Sequence, residues 1–267
     1  MSPHDETHDH DLGLSHDLPI LLSRRRVLGL FASGLGATAL AACGFESGAG
    51  SGSTTAASGE TEVPEETAGP YPADGSNGPN VLSESGIVRR DITTSFGGST
   101  DTAEGVPTTI ALRLLDVAGG GGPLAGAAVY LWHCNRDGAY SLYDSSIADQ
   151  NYLRGVQVSG EDGRLSFTSI FPACYDGRWP HVHFEVYESV DAAVAGTSKL
   201  RTSQLALPKE LCDSVYTSAD GYESSHANLS QVSLDSDMVF GDGYASQLAS
   251  WSGSVDDGIS LELNVGV

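Results

Sequence analysis

The chain reads as an all-β protein: an antiparallel β-sandwich core with long functional loops and little helix. Three observations predict this. Apolar and polar residues alternate over short runs rich in β-branched side chains. Turn-forming residues, 33 glycines among them, separate those runs. Helical periodicity is scarce. Short strands punctuated by turns are the pattern of packed sheets.

Strands are expected at Thr108–Asp116, Ala127–Cys134, Gly163–Thr168, His181–Tyr187 and Ile259–Val265. The run from Gly119 to Pro123 and the Glu161-Asp162-Gly163 triplet are turns. One short helix is expected from Pro208 to Tyr216, with proline at its first position.

Ahead of the domain lies a targeting segment. Ser23-Arg24-Arg25-Arg26-Val27-Leu28 is a twin-arginine pattern. The uncharged run Val27–Ala42 is shorter than the ~20 residues that cross a bilayer as a helix, so it reads as a signal-peptide core. It ends in Leu40-Ala41-Ala42-Cys43, which resembles a bacterial lipobox and implies cleavage before Cys43 with a lipid on its sulfur. The organisation expected is a signal peptide over 1–42, a Gly/Ser/Thr linker over 43–66 and one domain over 67–267. The location expected is extracytoplasmic, on the outer face of the cell membrane.

The whole chain carries 13 Lys and Arg against 35 Asp and Glu, a net charge of −22. Losing the leader removes three arginines and five acids, so the charge barely changes. Such a surface repels nucleic acid and anionic headgroups, which excludes both as partners apart from the lipid on Cys43. Three cysteines follow Cys43: Cys134, Cys174 and Cys212. Outside the cytoplasm one structural disulfide among them is expected, with the pairing open.

Only four histidines follow the leader, and two of them, His181 and His183, share one strand. Side chains alternate along a strand, so His181, His183, Glu185 and Tyr187 point to one face and Val182, Phe184 and Val186 to the other. Taken alone, a His-X-His pair is more often a polar, solvated strand face than a metal site. The scarcity of histidine is what raises it. His133 reads as a structural histidine and His226 as an exposed one. Tyr130, Tyr143 and Tyr152 read as packing or pocket residues rather than ligands.

A longer set of residues resembles the intradiol ring-cleavage dioxygenases, the family of catechol and protocatechuate dioxygenases. It runs from Ala127 through Trp132 and Asn135 to Gly138-Ala139-Tyr140, then Arg154-Gly155, then Asp162-Gly163, Phe167-Thr168 and Pro172, then Tyr175 and Arg178-Trp179-Pro180-His181-Val182-His183-Phe184. Thr67-Ala68-Gly69-Pro70-Tyr71-Pro72 and Arg90-Asp91-Ile92 resemble the segment that precedes the family's sandwich. The likeness covers about residues 67–206.

The resemblance implies a non-haem Fe(III) held by Tyr140, Tyr175, His181 and His183. The chemistry agrees: a hard ferric ion suits anionic oxygen ligands, and a bound cation lowers a phenol's pKa. It further implies a small catechol-type diol and O2 as partners, with ring cleavage between the hydroxylated carbons to a cis,cis-muconate. Tyr175 would leave the metal as substrate binds and take a substrate proton. Arg178 would stabilise negative charge on the substrate, with a salt bridge as its alternative role. Gln204 would stand near the O2 site, and Tyr71 would line the substrate pocket.

This chain departs from the family pattern between Tyr175 and His181, where it is short, and around Asp191–Gly196, where it is longer. Two other readings stay open from the residues alone. One is a non-catalytic β-sandwich module that binds carbohydrate. The other is a zinc-dependent hydrolase that adds Glu185 to the two histidines. No nucleophile elbow, phosphate loop or dinucleotide fingerprint is present.

Overall fold

The computed structural model describes residues 61–267. The expected leader, Cys43 and the linker up to residue 60 lie outside the described residues. The strands are β1 (Pro107–Asp116), β2 (Gly122–Pro123), β3 (Ala128–Trp132), β4 (Arg154–Val158), β5 (Arg164–Ile170), β6 (His181–Tyr187), β7 (Lys199–Ala206), β8 (Ser250–Ser254) and β9 (Gly258–Gly266). The helices are α1 (Val190–Ala195), α2 (Lys209–Ser218) and α3 (Glu223–Leu229), with a 3-10 turn at Phe240–Asp242.

Two sheets form the sandwich. One has the order β2-β1-β9-β8, with β5 also paired to β1; the other has the order β4-β3-β6-β7. Pairing is antiparallel except between β1 and β9, which run parallel with Thr108 beside Ile259. All five expected strands are present within a few residues of their expected bounds. The expected helix starts one residue later, with Pro208 as its N-cap.

The main core lies between the sheets. Ile110, Leu112 and Leu114 of β1 and Leu261 and Leu263 of β9 meet Val129 and Leu131 of β3 and Val182, Phe184 and Val186 of β6. Alternation makes this possible, since each strand offers every second side chain to the core. The opposite face of the second sheet is not left to water. Ala128, Tyr130 and Trp132 of β3 and Tyr187 of β6 form a second cluster with Ala73, Val81, Leu82 and Ile87. Every residue of β6 is buried, so the solvated strand face that a lone His-X-His pair suggests is not what forms.

The cover over that face is the chain ahead of β1. Val88 bridges Val156 of β4, and Asp91 bridges Thr168 of β5. Glu62 bridges Gly266 and Val63 is 1% exposed. Residues 62–66, expected as the end of a flexible linker, therefore lie on the sandwich, because Val63 joins the main core and the Glu66 amide donates to the Thr202 carbonyl. The longer stretch around Asp191–Gly196 forms α1, capped by the Ser189 hydroxyl and by Gly196 in a left-handed conformation.

The expected disulfide is absent. Cys134, Cys174 and Cys212 are buried free thiols. Cys134 belongs to the cluster beneath the covering segment, whereas Cys174 and Cys212 pack in the core between the sheets. Each behaves as a small apolar side chain.

Candidate metal centre

His181 and His183 stand two residues apart on the covered face of β6, with their Nε2 atoms 3.1 Å from each other. His181 Nδ1 donates to the Trp179 carbonyl at 2.5 Å, which leaves its Nε2 as a lone-pair donor. The His183 ring stacks on Trp132, centroids 5.0 Å apart and planes 3° from parallel. Its Nδ1 is buried without a hydrogen-bond partner. Gly69 closes over this imidazole: at φ +72°, a Cβ added there would lie 3.2 Å from His183 Cε1.

Two tyrosines reach the same spot from separate loops. Tyr175 opens the turn at Asp176-Gly177, and its hydroxyl lies 3.2 Å from His181 Nε2. Tyr140 comes from the turn after β3, where the Asn135 side chain accepts the Asp137 and Ala139 amides. Its ring is edge-on to both Tyr175 and His183, at 6.0 and 6.2 Å. Its hydroxyl is buried with no hydrogen-bond partner. The two phenols differ in access: Tyr140 is 3% exposed, whereas Tyr175 is half-buried.

Burial dominates the electrostatics. It raises Tyr140 well above the usual phenol range, with the neighbouring Tyr175 adding to the rise. It pushes Tyr175 up to about 12, against the pull of Arg178. It holds His181 and His183 well below the usual imidazole range, and Arg178 adds to that. The four groups are therefore neutral as they stand. An orphaned phenol, a second phenol and two imidazole nitrogens converge where a cation would reverse the rise of both phenols and keep both imidazoles in their neutral, ligating form. The donor set fits a hard trivalent ion better than a soft one.

Arg178 forms the salt bridge considered as its alternative role. Its Nε donates to Asp237 Oδ2 at 2.9 Å and its Nη2 donates to Gln204 Oε1 at 2.7 Å. Asp237 is 3% exposed and also accepts the Trp179, Val239 and Phe240 amides. Gln204 lies opposite His183 in the β6–β7 register, and its Nε2 donates to the Thr67 carbonyl. Tyr71 lies against Tyr140 at 4.8 Å and against Tyr143 at 5.2 Å. All seven residues singled out from sequence thus belong to one neighbourhood. Asp237 was missed: it is one acid among 35, with no spacing that marks it.

Glu185 does not join the histidines. It accepts from Tyr187 Oη at 2.5 Å, Lys199 Nζ at 2.7 Å and Thr202 Oγ1 at 3.4 Å. The third ligand required by a zinc hydrolase is thus tied up elsewhere. Among the described residues no group of three His, Cys, Asp or Glu side chains is placed to hold a metal ion. His133 is structural, with Nδ1 on the Cys134 carbonyl and Nε2 on Ser169 Oγ, both at 2.7 Å.

Comparison with known proteins finds relatives that match across the same neighbourhood. Residues 77–194 match the dioxygenase family model, a span that holds Tyr140, Tyr175, Arg178, His181 and His183. A chlorocatechol 1,2-dioxygenase of Rhodococcus opacus is 43% identical over 56 residues, 21% of this chain and 22% of that one. A hydroxyquinol 1,2-dioxygenase of Rhizobium sp. (strain MTP-10005) is 41% identical over 63 residues, 24% and 21% of the two chains. The chain thus spans about a fifth of the length of these curated relatives. An intradiol ring-cleavage dioxygenase from Tetranychus urticae shares the fold, with a TM-score of 0.55 and 22% identity over 68% of this chain and 87% of that one. The motif order and the matched span are similar to those of the intradiol ring-cleavage dioxygenases, and the all-β fold is shared with one of them.

Proposed function

We propose that the protein is an intradiol dioxygenase that cleaves catechol-type diols between the two hydroxylated carbons, with O2 as co-substrate and cis,cis-muconate-type products. The observation that carries this is the convergence of Tyr140, Tyr175, His181 and His183, with the two Nε2 atoms 3.1 Å apart. These four residues would hold a ferric ion. When bound, that ion would supply Lewis acidity and an orienting template for the diol and O2.

The protein's own groups divide the remaining work. Tyr140, locked by burial, would stay a ligand. Tyr175, which is half-buried, would be a phenolate while it holds the ion, with the freedom to swing out as the diol arrives and to take a hydroxyl proton on its Oη. Arg178, clamped by Asp237 and Gln204, presents a fixed positive charge to the reacting ring. Tyr71 and Tyr140 form an aromatic wall for a planar substrate.

The test is the visible spectrum of the iron-loaded protein, then anaerobic addition of catechol, then O2. A phenolate-to-iron band that shifts with catechol, followed by O2 uptake and muconate absorbance, is expected. An iron-reconstituted protein that stays colourless overturns the proposal.

We also propose that the enzyme works outside the cytoplasm on a lipid anchor at Cys43. The Ser23–Leu28 and Leu40–Cys43 patterns support this. Replacing Arg24 and Arg25 by lysine should leave the protein in the cytoplasm, and Cys43→Ala should release it from the membrane fraction. Unchanged fractionation of both variants would remove this reading.

A further inference from the structure

We propose that Arg154 is a positioning residue that sets the width of the substrate slot by clamping the Tyr71 wall to the turn that carries Tyr140. This rests on the dioxygenase reading for the meaning of the slot, though not for the clamp itself. Arg154 is 1% exposed and lies on β4 opposite Trp132. Its Nε donates to Ser141 Oγ at 3.1 Å, and its Nη2 donates to the Ser141 carbonyl at 2.9 Å. Its Nη1 donates to the Tyr71 carbonyl at 2.9 Å, and to the Pro72 carbonyl and Tyr130 Oη, both at 3.2 Å. One planar fork thus joins residues 71–72 to residue 141, next to the ligand Tyr140. Arg89 holds the other end, donating twice to the Arg154 carbonyl.

Backbone strain marks the same three points. Among the described residues, only four that are not glycine have positive φ: Ala73, Leu142, Leu153 and Ser198. Three of these adjoin the clamp, since Ala73 follows Pro72, Leu142 follows Ser141 and Leu153 precedes Arg154. Residues persist in this region only where the surroundings over-determine them. Every hydrogen bond from the fork ends on a neutral carbonyl or hydroxyl, and no ion pair among the described residues includes Arg154. A buried cation without an acid is a costly way to hold a loop. What it gains is geometry: five directed bonds that fix the Tyr71–Tyr140 ring contact at 4.8 Å.

The test has two arms, on wild type, Arg154→Lys, Tyr71→Ala and the double variant. Lysine keeps the charge and loses the fork. The first arm is amide hydrogen exchange on the protein as purified. Residues 69–73 and 140–143 should both exchange at least tenfold faster in Arg154→Lys, while β1 and β9 keep their rates. Exchange that rises everywhere equally, or nowhere, overturns the clamp. The second arm is catechol affinity of the iron-loaded protein, read from the charge-transfer band without O2. Arg154→Lys should weaken catechol at least tenfold, and the double variant should be no weaker than Tyr71→Ala alone. Additive losses overturn the action through Tyr71. If Arg154→Lys does not fold, Ser141→Ala removes one acceptor, and the same pattern should appear at smaller amplitude. A wild type that binds iron but no catechol overturns the dioxygenase reading and the slot, while the exchange arm still decides the clamp.

Discussion

Asp237 Oδ2 accepts hydrogen bonds from Arg178 Nε at 2.9 Å and from the Trp179 amide at 2.7 Å, so one buried carboxylate fixes both a cation and the peptide beside it. The Trp179 carbonyl in turn orients His181. Asp237→Asn should therefore reach the chemistry without touching substrate. Breaking a buried pair leaves the partner charge uncompensated, so a stability loss of about 3 kcal/mol is expected. The value of kcat/KM for catechol should fall at least tenfold, chiefly through kcat. Asp237→Glu should recover part of it. Steady-state kinetics beside urea unfolding separates the two effects, and an unchanged kcat would remove Asp237 from the positioning chain.

Tyr140→Phe should separate stability from function. The Tyr140 hydroxyl is buried without a partner in the metal-free fold. Such a group costs roughly 1–3 kcal/mol. The phenylalanine variant is therefore expected to melt higher than wild type without iron, and to bind less iron with a weaker visible band. Melting curves of metal-free protein and iron content per chain check both halves. A variant that melts lower without iron would contradict the first.

Acid should unfold the protein through its buried imidazoles. Burial brings His133 down to about 4, against ~6.5 for an unfolded chain. The unfolded state then binds the extra proton first, so stability is complete above about pH 6.5 and falls as pH drops towards 4, by roughly 3 kcal/mol from this one group. His181 and His183 are lowered by the same cause and add to the same side. His133→Gln should flatten the fall in urea midpoint between pH 7 and 4.5 without abolishing it. An identical slope would mean that His133 takes up its proton while folded.

The three cysteines of the domain should be silent until it unfolds. Burial pushes the Cys134 and Cys174 thiols up to about 12 and Cys212 well above its usual value. Iodoacetamide at pH 8 should leave all three unmodified in the native protein. Denaturation without reductant should expose all three, as peptide mass mapping would show. A pair that needs reductant would restore the disulfide that the compartment suggested.

Gly69→Ala should press on the metal site from above. Its positive φ costs a residue with a side chain about 1–2 kcal/mol, and the new methyl would meet His183 at 3.2 Å. Weaker iron retention during dialysis is expected, with a smaller loss in melting temperature than a core truncation would give.

What the sequence made legible was whatever repeats with a local period. The β6 alternation placed both histidines on one face, and the structure keeps them there. Strand β7 was not legible, because Thr202, Ser203 and Gln204 are polar yet buried, their polar groups satisfied by partners far along the chain. Strand β4 was hidden in the same way by Arg154, a charged residue at a core position. The cover over the histidine face consists mostly of isolated bridges rather than strands, so it leaves no period to read. The cysteine expectation failed for a related reason. Compartment says whether a bridge is permitted, but only packing decides which thiols meet.

The parallel pairing of β1 with β9 reaches beyond the site. Thr108 finds its neighbour at Ile259, on the far side of almost everything in between. A ribosome that has released β1 can soon pair one of its edges with β5, but the partner of the other edge does not exist until β9 emerges. Loop closure over that distance is entropically slow, so high contact order rather than local propensity should govern the folding rate. Until then β1, with its apolar Ile110, Leu112 and Leu114, keeps one unprotected edge. The late strand therefore acts as the chain's own chaperone, and damage near Ile259–Val265 should appear as aggregation during synthesis before it appears as lost activity.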